Sequence, residues 1–135
     1  MSKRIGISKD LHQLSHAAAK DETGFEDWGL WDQFVANQFA YFINRLKETP
    51  EGDARLLDRC LIFQGAATSK VHDNTNYPIL MAGGKQMGHK AGQFVSYDEQ
   101  KHRLSNLFVD IGRAMDVPME KFGDSNGTAM SELFG

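Results

Sequence analysis

The sequence has only one cysteine, Cys60, among its 135 residues, so it can form no internal disulfide and contains no cysteine-rich zinc motif. No apolar run approaches the roughly 18 residues of a membrane span. The first ten residues, MSKRIGISKD, lack the apolar core of a signal peptide. A formal net charge of −3 leaves no basic stripe for nucleic acid. We therefore expect no membrane span, no nucleic-acid partner and, for the chain as it stands, a cytoplasmic location.

The rest of the composition is that of a soluble globular protein. Hydrophobic residues make up 41% of the chain and charged residues 24%, an ordinary balance for such proteins. A chain of this length is expected to form a single domain, residues 1–135.

Three segments have the periodicity of helices. The first runs from Lys9 to about Lys20, with Ser8 as its expected N-cap. The second, WGLWDQFVANQFAYFINRLKE, follows the polar break KDETGFED and ends before Pro50. It is apolar over so much of its circumference that we expect it to be buried on several sides. The third, KHRLSNLFVDIGRAMDVP, has one apolar stripe and closes at Pro118.

Two short apolar runs, Cys60–Phe63 and Ile79–Ala82, predict strands, and GQFVSY predicts a weaker third strand. Because the two runs do not alternate with polar residues, we expect both strands to be buried on both faces, as in parallel sheets. The predicted fold class is α/β, with a small, mainly parallel sheet of two or three strands and covering helices. An incompletely covered sheet edge invites another chain, so we expect a homo-oligomer or a partner protein chain.

His12 and His16 form the first candidate site. They stand four residues apart on the first predicted helix, away from its apolar stripe. Two imidazoles at this spacing can reach one metal ion from a single helix face, as in helical zinc motifs. The alternative is an ordinary exposed helix face, and the spacing alone favours that alternative.

His72 and Asp73 form the second candidate site, in the connection SKVHDNTNYP between the two predicted strands. Loops at strand ends are the usual place for ligands in α/β sheets. Asp73 offers an oxygen ligand or a carboxylate that orients an imidazole. The alternative is a polar connection in which Asp73, Asn74 and Asn76 make turn hydrogen bonds.

Two further features carry weaker signals. The glycine-rich stretch MAGGKQMGHKAG fails as a phosphate-binding P-loop, because His89 stands where the P-loop lysine is needed, and a turn is the favoured interpretation. Cys60 lies in an apolar run with no activating neighbour and is expected to be an inert core thiol.

Four pieces of the sequence, in this order, together resemble one known family: HQLSHA, QFAYFINRLKETPEGDARLLDRCLIFQG, HDNTNYPILMAGG and FGDSNG, over roughly residues 11–126. They resemble the C-terminal part of the HXXSHH family, poorly characterised and mostly exported bacterial proteins. That family looks related to the alkaline-phosphatase-like superfamily of metal-dependent phosphatases and sulfatases. The resemblance implies part of such a fold, with the N-terminal half of the family domain absent.

The resemblance also assigns site residues. His12, Ser15 and His16 match the first, fourth and fifth positions of the name-giving motif, and Ala17 stands where the family has a further histidine. His72 matches the histidine before the glycine-ended strand, whereas Phe94 replaces another family histidine. In alkaline-phosphatase-like folds, the metal ligands come from an i, i+4 pair and from histidines in loops at strand ends.

Two functions follow as expectations. In the first, the chain is a member or remnant of a metal-dependent hydrolase-like family acting on phosphate or sulfate esters, not catalytically competent alone. His12, His16, His72 and Asp73 would hold a divalent ion such as zinc, and the nucleophile would come from another chain or from additional sequence. In the second, the chain is a non-catalytic assembly protein whose aromatic helix, Trp28 through Leu46, packs on another copy or another protein.

Overall fold

The computed structural model describes residues 5–66, 72–73, 75–98 and 100–135. These residues form four α-helices and two small antiparallel sheets, a mixed α/β architecture. They fall into two compact units: unit 1 is Met1–Arg45 with Gly65–Pro78, and unit 2 is Leu46–Gln64 with Ile79–Gly135. Among the helices in these ranges, none is both long enough and apolar enough to cross a membrane.

Unit 1 is built on α1 (Leu11–Ala18) and most of α2 (Glu22–Glu48). The predicted cap Ser8 is wrong, because the carboxylate of Asp10 accepts a hydrogen bond from the backbone N–H of Gln13 and caps α1 instead. On the inner side of α1, Leu14 is fully buried. Leu14 therefore faces the core of unit 1, as its spacing predicts, whereas Leu11, expected on the same stripe, is 42% exposed.

The two helices of unit 1 touch through their backbones at Gly24. A Cβ atom at this position would lie 2.3 Å from the carbonyl carbon of Ala17, so only glycine permits the observed approach. The Oδ1 atom of Asp21 accepts a hydrogen bond of 2.7 Å from the Gly24 N–H and starts α2 inside the stretch expected to be a polar break. The turn that joins α1 to α2 thus depends on one glycine and one carboxylate.

The aromatic helix α2 is less buried than its sequence predicts. Gly24 is the only buried residue among its 27 described positions, so the expectation of burial on several sides is wrong. Large apolar side chains remain exposed along it: Phe25, Leu30, Tyr41 and Phe42. The physical reason is one of size, because a helix of this length presents more apolar surface than the short elements around it can cover.

Unit 2 contains short elements followed by a longer helix: β1 (Pro50–Glu51), β2 (Ala54–Arg55), α3 (Leu56–Arg59), β3 (Leu61–Gln64), β4 (Leu80–Gly83), a 3-10 turn (Lys85–Met87) and α4 (Leu104–Ala114). The strands pair as two separate two-stranded sheets, β1 with β2 and β3 with β4. The core of unit 2 includes Leu107 and Val109 of α4, together with Met130.

The prediction of a mainly parallel sheet is wrong. β3 and β4 are antiparallel, with Leu61 opposite Gly83 and Gln64 opposite Leu80. Their side chains are only partly covered, and Leu80 is 55% exposed, so these strands are not buried on both faces. The stretch GQFVSY contains no strand. An unalternated apolar run indicates a strand, but strand direction depends on the path of the chain between the two runs.

Candidate metal site

Three imidazole rings converge on one side of unit 1. The ring centroids of His12 and His16 lie 4.8 Å apart, and those of His16 and His72 lie 5.2 Å apart. The third separation, between His12 and His72, is 6.1 Å. The structure therefore brings together three of the four residues that the sequence predicts as ligands, from a helix and from a loop distant in the chain.

Helix α1 presents two of the three rings. His12 and His16 are one turn apart, so their side chains leave the same face of the helix, while Leu14 and Ala17 are buried on the other side. The hydroxyl of Ser15 donates a 2.7 Å hydrogen bond to the backbone carbonyl of His12. The Ser15 hydroxyl therefore interacts with the backbone of its own helix.

The third ring comes from a loop with an unusual backbone. His72 has a φ of +53°, in the left-handed region that non-glycine residues seldom adopt. Placing an L-residue there costs on the order of 1–2 kcal/mol, so the surrounding structure has to hold it. Outliers of this kind concentrate at ligand and catalytic sites. The backbone at His72 is thus a second sign, independent of the ring distances, that this residue is held in place.

Asp73 makes the turn hydrogen bonds that the sequence offered as its alternative role. Its Oδ1 atom accepts hydrogen bonds from the N–H of Thr75 at 3.0 Å and from the hydroxyl of Thr75 at 2.7 Å. Asn74, named in the same expectation, lies outside the described residues. These bonds stabilise the turn that follows His72, so Asp73 supports the loop whether or not it also contacts a metal ion.

Ala17 and Phe94, the two positions at which the resemblance would lead one to expect further histidines, have side chains that bind no metal ion. Ala17 is buried against the backbone at Gly24. Phe94 belongs to unit 2 and is 95% exposed.

The electrostatic environment favours the neutral form of His16. The pKa of His16 lies below its ordinary value of 6.5, mainly because partial burial disfavours the charged ring. Repulsion from the positive charges of His12, His72 and Lys20 lowers it further. A neutral imidazole is the form that binds metal ions. Sequence analysis did not single out Lys20, although its position four residues after His16 is the signal that would have found it.

This pKa shift predicts a pH dependence. Because the pKa of His16 in the folded chain lies below 6.5, the unfolded chain binds more protons in the range beneath that value. The contribution of His16 to the free energy of unfolding is therefore complete above pH 6.5 and is lost as the pH falls through the folded pKa. An NMR titration of the His16 ring should give a midpoint below 6.5, and His72→Ala should raise it by removing one cationic neighbour. A midpoint at or above 6.5 in the unsubstituted protein would contradict the cluster.

The spacing of the rings matches that of zinc ligands. With Zn–N bonds of 2.0–2.1 Å and tetrahedral angles, the centroids of two ligand imidazoles lie about 5 Å apart. The observed 4.8, 5.2 and 6.1 Å fall close to this value. Within the described parts of the chain, no group of three or more His, Cys, Asp or Glu side chains is placed so that it could hold a metal ion as it stands. Metal binding therefore requires the imidazole rings to change their orientation.

The glycine-rich stretch MAGGKQMGHKAG of unit 2 forms a turn, which was the favoured interpretation of its sequence. The N–H of Gly84 donates to the carbonyls of Leu57 and Cys60, at 3.1 and 2.8 Å, and the N–H of His89 donates to Gly84. The Nδ1 atom of His89 lies 2.8 Å from the carbonyl of Gly83. These donors are satisfied within the protein, as is typical of a turn.

Comparison with known proteins adds no assignment: no family model matches the chain, and no curated protein or solved structure is significantly similar to it. The fold and the site define a mixed α/β protein with a three-histidine cluster on one of its units.

Proposed function

We propose that this chain is a member or remnant of a metal-dependent hydrolase-like family acting on phosphate or sulfate esters. In this proposal His12, His16 and His72 bind one divalent metal ion such as zinc, with Asp73 as the neighbouring carboxylate. The observation that carries the proposal is the convergence of the three rings, with centroids 4.8 to 6.1 Å apart, from α1 and a distant loop. The resemblance of HQLSHA and HDNTNYPILMAGG to the HXXSHH family supports it.

Three imidazoles leave one position of a tetrahedral ion open, which is the arrangement of catalytic zinc sites. A zinc ion bound there supplies Lewis-acid polarisation of an ester oxygen and lowers the pKa of a coordinated water. The chain itself contributes orientation and charge. Lys20 lies close enough to His16 to affect its pKa, so an anionic ester would meet a cation beside the cluster.

Among the described residues next to the three rings, the two oxygen-bearing side chains, Ser15 and Asp73, are already engaged in hydrogen bonds. The Ser15 hydroxyl is bonded to the helix backbone, and Asp73 Oδ1 accepts two hydrogen bonds from Thr75. We therefore infer that the chain binds metal and anion but does not turn over esters efficiently alone.

The test separates binding from catalysis. We expect zinc-loaded, tag-free protein to bind inorganic phosphate or sulfate by calorimetry, and the same protein without zinc to bind neither. Hydrolysis of p-nitrophenyl phosphate and p-nitrophenyl sulfate should stay close to that of free zinc. Protein that binds zinc but shows no zinc-dependent anion binding would contradict the hydrolase-like assignment while leaving the metal site intact. His102→Ala, in unit 2, serves as a matched control for loss of one imidazole.

The exposed aromatic helix supports a second candidate function, a non-catalytic assembly protein. Leu30 and Tyr41 of α2 are 47% and 65% exposed and project from the same side of the helix, and exposed apolar surface that is shared by several side chains is typical of protein contact sites. The two functions differ in a simple measurement. An assembly protein associates to the same extent with zinc and with a chelator, and its His16→Ala variant keeps the same association state. A hydrolase-like protein instead binds zinc tightly and loses the metal in His16→Ala.

A further inference from the structure

A groove in unit 2 runs along one edge of the sheet that β3 and β4 form. Its volume is about 470 Å³, and three consecutive residues of β3, Leu61, Ile62 and Phe63, line it. Because successive side chains of a strand point to opposite faces of a sheet, a groove lined by three neighbours follows the edge of the strand. Among the described residues this sheet has two strands, and β4 occupies the other edge of β3. The groove therefore follows the outer edge of β3.

Backbone groups of β3 face this outer edge. The N–H of Gly84 donates a 2.8 Å hydrogen bond to the carbonyl of Cys60, just before Leu61 enters the ladder. In an antiparallel pair, residues that exchange hydrogen bonds alternate with residues that do not. The N–H and carbonyl of Ile62 therefore face β4, whereas those of Leu61 and Phe63 face outward. Within the described part of the chain, no backbone group pairs with Leu61 or Phe63 at that edge.

The outer edge of β4 is covered by the chain itself. Gly83 lies opposite Leu61, so its carbonyl also points away from the partner strand. The Nδ1 atom of His89 lies 2.8 Å from this carbonyl, and the His89 side chain is buried. The two edges of the sheet thus differ, and the edge of β3 is the one that can accept a further strand.

The opposite wall of the groove comes from α4. Phe108 and Ile111, together with Met115 just after the helix, follow one another at three and four residues, so they lie on one side. The ring of Phe108 lies 5.7 Å from that of Phe63. Arg59, the charged residue of the lining, is already paired with Asp53 at 2.8 Å. The groove therefore suits uncharged, apolar side chains.

We propose that this groove binds an extended peptide segment of another protein, which adds to β3 as a third strand. Main-chain hydrogen bonds to Leu61 and Phe63 hold the peptide, and its apolar side chains at alternate positions contact Phe108, Ile111 and Met115. Four extended residues span about 13 Å and match the length of β3. The proposal goes beyond the metal site, since it needs neither zinc nor any of the three clustered histidines.

The groove has room for one strand, which favours a free peptide over a second copy of this chain. In a second copy, β3 arrives with its own β4 roughly 4.8 Å behind it. That second strand would lie on the side of the groove where α4 already stands. An extended segment brings no strand behind it and can lie between β3 and α4.

Calorimetry with two blocked peptides tests the groove. One peptide alternates valine with threonine, and the other alternates leucine with threonine. We expect at least one of them to bind with a dissociation constant in the micromolar range. N-methylation of every second amide nitrogen gives two forms of that peptide, which carry equal numbers of methyl groups. The form whose methyl groups face β3 should bind at least about tenfold more weakly than the other form, because it loses the main-chain hydrogen bonds.

Two pairs of variants test the two walls. Met115→Glu should raise the dissociation constant at least about fivefold, because it puts a carboxylate on the apolar wall. Val117→Glu is its matched control, since Val117 is 46% exposed against 55% for Met115 and does not line the groove. Phe63→Pro and Phe63→Ala both remove the ring, but the proline variant also removes the outward N–H. It should bind at least about threefold more weakly than the alanine variant. Circular dichroism confirms that each variant is folded.

Several results would overturn the proposal. One is the failure of both peptides to bind at about 1 mM. Others are equal binding of the two N-methylated forms, equal losses in Met115→Glu and Val117→Glu, and equal binding by Phe63→Pro and Phe63→Ala. Sedimentation equilibrium without peptide gives the last result: a dimer that Phe63→Pro abolishes would assign the edge of β3 to a second copy.

Discussion

Replacing His16 with alanine is expected to weaken zinc binding more than about 100-fold, since even removal of a group that merely supports a ligand costs 10–100-fold. The reason is geometric. The His16 ring lies between the other two, 4.8 Å from His12 and 5.2 Å from His72, whereas those two rings are 6.1 Å apart. Without His16, the remaining pair has the longest separation and only two ligands. Competition against a chromogenic chelator at pH 7.5, with tag-free protein, measures the change.

His102→Ala is the control for this loss. His102 belongs to unit 2, where its ring lies 4.8 Å from that of Tyr97 and outside the three-ring cluster. Its removal should leave zinc affinity unchanged. Equal losses in the two variants would mean that zinc binds to scattered surface histidines, and no loss in His16→Ala would remove His16 from the site.

The second large effect is expected at Gly24, where α1 and α2 touch. Gly24→Ala should destabilise the protein by about 2 kcal/mol, because the new Cβ atom would lie 2.3 Å from the carbonyl carbon of Ala17 and 2.4 Å from its oxygen. Backbone atoms cannot rotate away as a flexible side chain can, so α1 has to move off α2. Since α1 carries His12 and His16, zinc affinity should fall in the same variant.

Gly29→Ala makes the identical chemical change five residues further along the same helix. No atom lies within 4 Å of the added Cβ, so the higher helix propensity of alanine should stabilise the protein by about 1 kcal/mol. Urea denaturation monitored by circular dichroism compares the two variants. Opposite signs support the close approach of α1 to α2, whereas stabilisation by both substitutions would show that the helices do not meet at Gly24.

Local patterns in the sequence predicted the helices α1, α2 and α4 and the strands β3 and β4, but not β1, β2 or α3, and not the pairing of the strands. They also predicted a strand in GQFVSY, where the structure has none. Helix α1 and the face that carries His12 and His16 follow from the spacing of the apolar residues around Leu14. The two apolar runs predicted β3 and β4 to within about one residue. The sequence predicted too late a start for α2. Its capping residue, Asp21, lies within the charged stretch KDETGFED, whose composition is typical of a connection between helices.

The long-range features could not be read from local periodicity. The antiparallel pairing of β3 and β4 depends on the course of the connection between them, which the two apolar runs do not encode. The approach of His72 to α1 joins residues about 60 positions apart, and only the family resemblance suggested it. The exposure of α2 depends on how much apolar surface the rest of the chain can cover.

The central claim is that His12, His16 and His72 hold one metal ion. Elemental analysis of tag-free protein, purified without chelators alongside His12→Ala, tests it most directly. The account predicts close to one equivalent of zinc or a similar divalent metal per chain in the unsubstituted protein and a small fraction of that in His12→Ala, with both proteins folded. Folded protein that contains no metal and takes up none from a zinc solution would contradict the claim and leave the three rings as an exposed histidine cluster.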